Sequence, residues 1–272
     1  HRDLHSFPTR RSSDLVALCV TSLVFGIGSY FRLNQLNLFA LWTFTGTVSA
    51  YQLHRLFRLR QLKHTVRSNR RLLWMQNTYP FQVSWFAVNL ICCLVCTLYL
   101  PLTPEAVWII GLNSLIVLLY ALPLPFIGNG IRNLPFAKNI LIATSWVLIV
   151  LMPFASLKHL HLVPPEIPVL LFLAVFAQIV PFDSRDIAHD PKSLATLPQL
   201  VGVKNARYAG FFLLLVALGI QTHLLGFHWL LPFTVFCGAI GHLIPFLVGY
   251  QLRLEFMWEL PLGLMGLWFL LA

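Results

Sequence analysis

Residues 165–190 read PEIPVLLFLAVFAQIVPFDSRDIAHD and join a long apolar run to three closely spaced aspartates. A helix needs about 20 predominantly apolar residues to cross the hydrocarbon of a bilayer. Residues 165–182 approach that length without a lysine or arginine, and their one acid stands near the start. The segment is therefore predicted to be a transmembrane helix that ends in an acidic cluster at one membrane surface.

The composition of the whole chain is that of a membrane protein. Hydrophobic residues make up 58% of the 272 residues and charged residues make up 10%, and the mean hydropathy is +0.76. A soluble domain carries about 25% charged residues, so this chain lacks the polar surface that water requires. The five cysteines give no disulfide framework, and those in the apolar run 92–96 are predicted to be buried thiols.

Apolar segments of similar length recur along the chain, separated by charges, prolines and asparagines. They predict an all-α membrane protein, a helical bundle of about nine transmembrane helices. The predicted segments are 16–33, 34–53, 80–100, 104–121, 136–156, 165–182, 207–226, 228–248 and 255–272. Together they make one transmembrane domain, residues 16–272.

Positive charges accumulate on alternate loops. Counted from the N-terminus, the even-numbered loops hold fourteen lysines and arginines, whereas the odd-numbered loops hold two, Arg32 and Lys158. The fourteen are Arg55, Arg58, Arg60, Lys63, Arg67, Arg70, Arg71, Arg132, Lys138, Arg185, Lys192, Lys204, Arg207 and Arg253. Cationic residues favour the cytoplasmic side, so the N-terminus is predicted inside, in a membrane taken to be the bacterial inner (plasma) membrane. This distribution explains the net charge of +10 without a nucleic-acid partner.

Residues 1–15, HRDLHSFPTRRSSDL, differ from the rest of the chain in being polar and basic. The stretch resembles the translation of a sequencing-adapter read-through, so it is interpreted as a non-native tail. It has no apolar region and does not form a signal peptide by itself. No function is assigned to its residues.

Asp183, Asp186 and Asp190 form the acidic cluster, and the chain has only seven acids outside the N-terminal tail. Offsets of three and seven place the three carboxylates on one helical face, where like charges repel. A cation is therefore expected nearby, and oxygen ligands at this spacing suit Mg²⁺, which also bridges to substrate phosphates. The spacing alone leaves open a solvated turn, with Asp190 ending the helix before Pro191.

The segment 183–202, DSRDIAHDPKSLATLPQLVG, resembles the second aspartate-rich motif of the UbiA-type intramembrane prenyltransferases. That motif has an Asp-x-x-x-Asp pair, matched by Asp186 and Asp190, and then a basic residue, matched by Lys192. A Thr-Leu-Pro stretch and a glycine follow in the family, and this chain has them at 196–198 and 202. YALPLP at 120–125 is similar to the family's Tyr-x-x-Pro-Pro-like stretch. The family's nine helices and inside N-terminus match the topology predicted above.

The resemblance implies a transferase that moves an isoprenyl group from its diphosphate to an acceptor, often an aromatic one. The implied partners are an isoprenyl diphosphate, a lipophilic acceptor and the lipid bilayer. The implied cofactor is Mg²⁺ held by Asp183, Asp186 and Asp190, since metal and cationic groups stabilise a leaving diphosphate. Arg185 and Lys192, beside the aspartates, are expected to bind the diphosphate, and no catalytic residue is assigned.

The family's first aspartate motif is missing from its expected place at the end of the second segment. YQLHR at 51–55 stands there instead, and residues 15–104 contain no acid. Arg55 and Arg58 are therefore expected to bind the diphosphate directly through guanidinium groups, with one Mg²⁺ site remaining.

Three interpretations stay open. The first is a prenyltransferase with a single Mg²⁺ site. The second is an inactive family member that binds an isoprenoid or quinone-like lipid, or serves as a membrane partner. The third, an unrelated transporter, is the weakest, because no charged residue stands at mid-membrane in the predicted segments.

Overall fold

The computed structural model describes residues 8–61, 76–121, 134, 136–187, 195–248 and 259–272. Within these ranges, the side chains of residues 8–13, 58, 60, 61, 121, 186 and 244–248 lie outside the description. The described residues form ten α-helices and one short 3-10 helix, and none of them lies in a β-strand.

The helices follow one another with short connections wherever the connection is described. In chain order they are α1 (Pro8–Tyr30), α2 (Leu36–Gln61), α3 (Tyr79–Tyr99), α4 (Pro104–Ala121), α5 (Ala137–Ser156), α6 (Glu166–Asp186), α7 (Leu197–Val201), α8 (Val203–Leu225), α9 (Leu230–Val248) and α10 (Leu260–Leu271). The 3-10 helix Leu160–Leu162 lies between α5 and α6.

Each of the nine predicted segments overlaps one long helix of the described chain. Four of these helices, α3, α5, α6 and α8, are long and apolar enough to cross a membrane, and shorter apolar helices lie in α1, α4, α9 and α10. The helix α2 is more polar because its second half carries His54 and three arginines. The predicted all-α membrane fold is confirmed, whereas the number of crossings and the inside N-terminus stay predictions.

The helix α6 extends farther than the sequence predicted. The predicted segment ends at residue 182, but the helix continues to Asp186. Pro181 lies inside α6 without ending it, as membrane helices allow when neighbouring helices support the backbone. Asp183 therefore belongs to the last turn of a packed helix and not to a loop.

A further difference lies between α6 and α8, where the sequence predicted only a loop. The short helix α7 begins there, and the backbone N–H of Thr196 donates to the Gln199 side-chain oxygen at 3.1 Å across its first turn. Gly202 then has a φ of +82°, a conformation that glycine adopts without strain. This glycine allows α8 to start in a new direction directly after α7.

Hydrogen bonds between antiparallel helices α4 and α5 fix their relative height. The Thr103 hydroxyl donates to the Ala155 carbonyl at 2.9 Å, and the Ser145 hydroxyl donates to the Asn113 side-chain oxygen at 2.6 Å. Continuing this register along both helices places Tyr120 at the height of residue 138. The end of the bundle at which α4 ends and α5 begins is called the motif end below.

The helices α1 and α10 run parallel and touch backbone to backbone. A side chain added at Gly26 would overlap the carbonyl of Gly266, and one added at Gly266 would overlap the backbone of Ser22. Small residues permit this approach in membrane helices. Cys19 donates through its thiol to the carbonyl of Glu259 at 3.4 Å, so α10 begins beside the first half of α1.

Candidate functional site

Asp183 and Lys138 form a buried ion pair at the motif end. Lys138 lies in the first turn of α5 and Asp183 in the last turn of α6. The ammonium Nζ donates to the carboxylate Oδ1 at 2.5 Å, and the side chains are 18% and 0% exposed, respectively. A buried carboxylate costs several kcal/mol unless it is paired. The ammonium of Lys138 therefore allows Asp183 to be fully enclosed by the bundle.

Two buried amides lie close to this pair along the chain. Asn139 follows Lys138, and Gln178 precedes Asp183 by little more than one turn. They are 1% and 3% exposed, and neither amide group has a hydrogen-bond partner within the described part of the chain. An unsatisfied buried polar group costs about 1–3 kcal/mol. These amides are therefore buried polar groups without a described partner on the two helices that carry the ion pair.

The end of α2 carries the residues that stand in place of the expected acidic motif. Gln52 is 1% exposed, and the His54 ring packs against the ring of Tyr120 on α4 with 5.0 Å between centroids. Since Tyr120 lies at the height of residue 138, the end of α2 belongs to the motif end as well.

Two of the arginines predicted to bind diphosphate are placed by the structure. The Arg185 guanidinium lies over the Phe182 ring on the same helix, 5.5 Å from its centroid, a favourable cation–π distance. Arg55 is partly buried on α2. Both predicted residues therefore lie on the helix ends that meet at the motif end.

The other predicted site residues lie where the structure gives no side chain. Arg58 and Asp186 belong to α2 and α6, but their side chains are outside the description, and the positions of Asp190 and Lys192 are outside the described ranges. The predicted convergence of the three aspartates on one ion therefore stays a prediction.

The described residues do not by themselves assemble a magnesium site at Asp183, since the side chains of Asp186 and Asp190 are outside the description. Within the described ranges, no group of three or more His, Cys, Asp or Glu side chains comes together. Asp183 itself binds the ammonium of Lys138 through Oδ1. Gln52 and His54 at the end of α2 add no carboxylate, and Mg²⁺ prefers hard oxygen ligands, chiefly carboxylates.

Sequence reasoning missed three buried charged residues of the bundle. Lys138 and Arg207 enter the sequence analysis only as charges that orient the chain, and Glu259 enters it only as one of the seven acids outside the tail. Arg207, 1% exposed, donates from Nη1 to the carbonyl of Gly241 at 3.4 Å. Glu259 is 5% exposed and interacts electrostatically with Tyr51. The only sequence signal for such residues is a charge close to the end of an apolar segment, which does not reveal its partner.

Comparison with solved structures identifies the architecture. A structure of a UbiA homologue from Archaeoglobus fulgidus bound to GPP and Mg²⁺ aligns with a TM-score of 0.65 and 16% sequence identity, over 96% of this chain and 95% of that one. The chain has the UbiA-type prenyltransferase fold. A UbiA homologue from the same organism bound to DMAPP and Mg²⁺ aligns with a TM-score of 0.61 and 15% identity, over 96% and 94% of the two chains.

A third structure with the UbiA-type fold, described as a digeranylgeranylglyceryl phosphate synthase, aligns with a TM-score of 0.58 and 18% identity over 96% and 94% of the two chains. No family model and no curated protein sequence matches the chain. The likeness is thus one of fold. The segment 183–202, which resembles the family's second aspartate-rich motif, begins in the last turn of α6.

Proposed function

We propose that this chain is a membrane-embedded prenyltransferase-like protein that binds an isoprenyl diphosphate at the motif end. The UbiA-type fold over nearly the whole chain supports this, since two solved neighbours hold GPP or DMAPP together with Mg²⁺. The observation that carries the proposal is the meeting of the α6 aspartate with a buried cation at the motif end. Cationic side chains beside carboxylates at a helix end are groups that a diphosphate site can use.

The proposed reaction breaks the bond between C1 of the isoprenyl chain and the diphosphate oxygen. The electron pair leaves with the diphosphate, and the acceptor then forms its new bond to C1 and loses a proton. Negative charge grows on the diphosphate during ionisation, so fixed cations lower the barrier. Arg55, Arg58, Arg185 and Lys192 are the residues proposed to bind it. The apolar helices keep water away from the allylic cation.

Magnesium enters this proposal only as the family's cofactor. When bound, it would neutralise part of the diphosphate charge. The predicted ligands Asp183, Asp186 and Asp190 remain a proposal, and Asp183 binds Lys138 in the described structure. The acceptor is proposed to be lipophilic, because it must reach the site through an apolar bundle.

A binding measurement tests the proposed function. The purified protein in lipid nanodiscs is titrated with radiolabelled geranyl diphosphate, with Mg²⁺ and again with EDTA, and geraniol serves as the matched ligand without diphosphate. Saturable binding of the diphosphate and none of geraniol is the expected result. If geranyl diphosphate binds no better than geraniol under both conditions, the proposed function is wrong.

A second candidate is an inactive member with the same fold that binds an isoprenoid or quinone-like lipid or serves as a membrane partner. The observation that favours it is the absence of a carboxylate from YQLHR at 51–55. This candidate predicts binding without release of diphosphate. A pyrophosphate-release assay with a panel of aromatic and lipid acceptors separates the two.

A further inference from the structure

Asn139 on α5 and Gln178 on α6 are enclosed by the bundle but make no described hydrogen bond. Neither the amide nitrogen nor the amide oxygen of either residue has a partner in the described part of the chain. Other amides of the bundle are satisfied. The Asn113 oxygen accepts from Ser145 at 2.6 Å, and the Asn89 nitrogen donates to a backbone carbonyl of its own helix at 2.8 Å. Unpaired buried donors and acceptors lower stability, so two such amides indicate a role beyond the fold itself.

The Asn139 amide lies on the covered face of α5. Residues at helical spacing on the same face are Ala143, Trp146 and Val150, which are 0%, 6% and 1% exposed. Asn139 lies about 120° around the helix from Ser145, which contacts α4. The amide therefore faces away from that contact, on an apolar face that other helices cover.

The Gln178 amide lies on a similar face of α6. Leu171 and Ala174, seven and four residues earlier, share this face and are 1% and 0% exposed. Val180 lies about 160° around the helix from Gln178 and packs against α8 at Gly210. Gln178 therefore faces away from α8 and toward the interior of the bundle.

Both amides lie near the motif end. Lys138 contacts Asp183, and this contact aligns the start of α5 with the end of α6. Asn139 follows Lys138 directly, and Gln178 precedes Asp183 by five residues. At a rise of 1.5 Å per residue, both amides lie within about two helical turns of that height. A molecule that reacts beside a diphosphate at the motif end would lie at the height of these amides.

The chemistry of the two faces suits a neutral ligand. An amide offers both N–H donors and a carbonyl acceptor, so it can bind a hydroxyl or a carbonyl group. The neighbours named above on both faces are alkyl and aromatic side chains without charge. Burying an unpaired charge against such side chains is costly. An apolar molecule with an oxygen-bearing group therefore fits these faces better than a free anion does.

We infer that Asn139 and Gln178 bind the oxygen-bearing head group of the acceptor, a phenol or quinone-like molecule whose hydroxyl or carbonyl group the amides hold inside the bundle. The inference rests on the proposed function and deepens it, because it gives the acceptor a site separate from that of the diphosphate. The amides orient the acceptor toward C1 of the isoprenyl chain. They neither gain nor lose a proton, and the bond changes are those given for the proposed reaction.

Apolar substitutions of similar shape test whether the protein itself uses the two amides. Asn139→Leu and Gln178→Met remove unpaired buried polar groups, so each should raise the unfolding midpoint of the ligand-free protein by about 2–4 °C. Asn113→Leu is the matched control, because it removes an amide that bonds Ser145, and it should lower the midpoint. A fall in the midpoint of Asn139→Leu or Gln178→Met would overturn the inference, because that amide would then have a partner in the protein.

Ligand binding is measured with radiolabelled 1-naphthol and 1-methylnaphthalene, which share a ring system and differ in the hydroxyl group. The purified protein is held in nanodiscs, and binding to empty nanodiscs is subtracted. The wild type should prefer 1-naphthol by about tenfold or more, as expected for two hydrogen bonds. Asn139→Leu and Gln178→Met should each reduce this preference by about fivefold, the loss typical of one neutral hydrogen bond, whereas folded Asn113→Leu should keep it.

Geranyl diphosphate binding on the same samples separates this inference from the proposed function. Asn139→Leu and Gln178→Met should bind geranyl diphosphate within about threefold of the wild type, as expected for separate sites. If the wild type does not bind it, the proposed function is wrong. If the wild type binds it but does not prefer 1-naphthol, or if both variants keep that preference, the inference about the acceptor is wrong and the proposed function survives. Loss of geranyl diphosphate binding in the folded variants would also overturn the inference, because the amides would then serve the diphosphate.

Discussion

Removing Lys138 should destabilise the protein because it removes the ammonium that binds the buried Asp183 carboxylate. The Asp183 side chain is 0% exposed and its Oδ1 lies 2.5 Å from the lysine Nζ. Breaking a buried ion pair from one side costs about 3–5 kcal/mol, because the remaining charge stays uncompensated. Lys138→Met should therefore lower the free energy of unfolding by about 3 kcal/mol or more.

The substitution Asp183→Asn should lower the free energy of unfolding by less than Lys138→Met does. In Asp183→Asn the lysine, which is 18% exposed, can extend its ammonium toward water along its flexible stem. We expect a loss of about 1 kcal/mol, typical of one hydrogen bond. The double variant Lys138→Met/Asp183→Asn should have a free energy of unfolding close to that of Asp183→Asn and well above that of Lys138→Met. This difference corresponds to a coupling energy of about 2 kcal/mol or more between the two side chains.

Thermal unfolding of the wild type, the two single variants and the double variant in one detergent completes the double-mutant cycle. A loss of about 3 kcal/mol corresponds to a fall in midpoint of about 6 °C or more for a chain of this size. Lys158→Met, which removes one exposed lysine charge, should have the same unfolding midpoint as the wild type. If Lys138→Met unfolds within about 1 °C of the wild type, the carboxylate is not buried as described and the assignment of the pair is wrong.

Three further predictions concern other parts of the bundle. Gly26→Leu and Gly266→Leu should each lower the unfolding midpoint by about 2–10 °C, an effect of about 1–3 kcal/mol from overpacking, and unchanged midpoints would contradict the close contact of α1 with α10. Cysteines introduced at Ser68 and Ser193 should react with an impermeant thiol reagent from the same side of the membrane, and labelling from opposite sides would refute the predicted topology. Arg55→Ala should weaken geranyl diphosphate binding by about 2 kcal/mol or more, and this loss should exceed the loss caused by chelation of Mg²⁺. If chelation abolishes binding and Arg55→Ala leaves binding intact, a direct role for this arginine is refuted.

Helix positions followed closely from the sequence because the membrane imposes a simple rule on length and polarity. The predicted segment 104–121 coincides with α4, and the segment 136–156 differs from α5 by one residue. The end of α6 was placed four residues too early, at 182 instead of Asp186. Charged residues usually signal the end of a membrane helix, but a helix can carry them where neighbouring helices and a partner charge enclose them.

The site was predictable only in part. The aspartate-rich segment was recognisable from its spacing, and the missing acids of α2 were visible directly in the sequence. The pairing of Asp183 with Lys138 joins residues 45 positions apart, and it depends on how α5 begins relative to the end of α6. Local pattern holds no information on that register, because it is set by the packing of α5 against α6.

A structure of the protein bound to geranyl diphosphate tests the central claim most directly. We expect the diphosphate at the motif end, beside the ends of α2 and α6. The isoprenyl chain should extend between the helices. A diphosphate bound elsewhere in the bundle, away from the ends of α2 and α6, would contradict the proposed function.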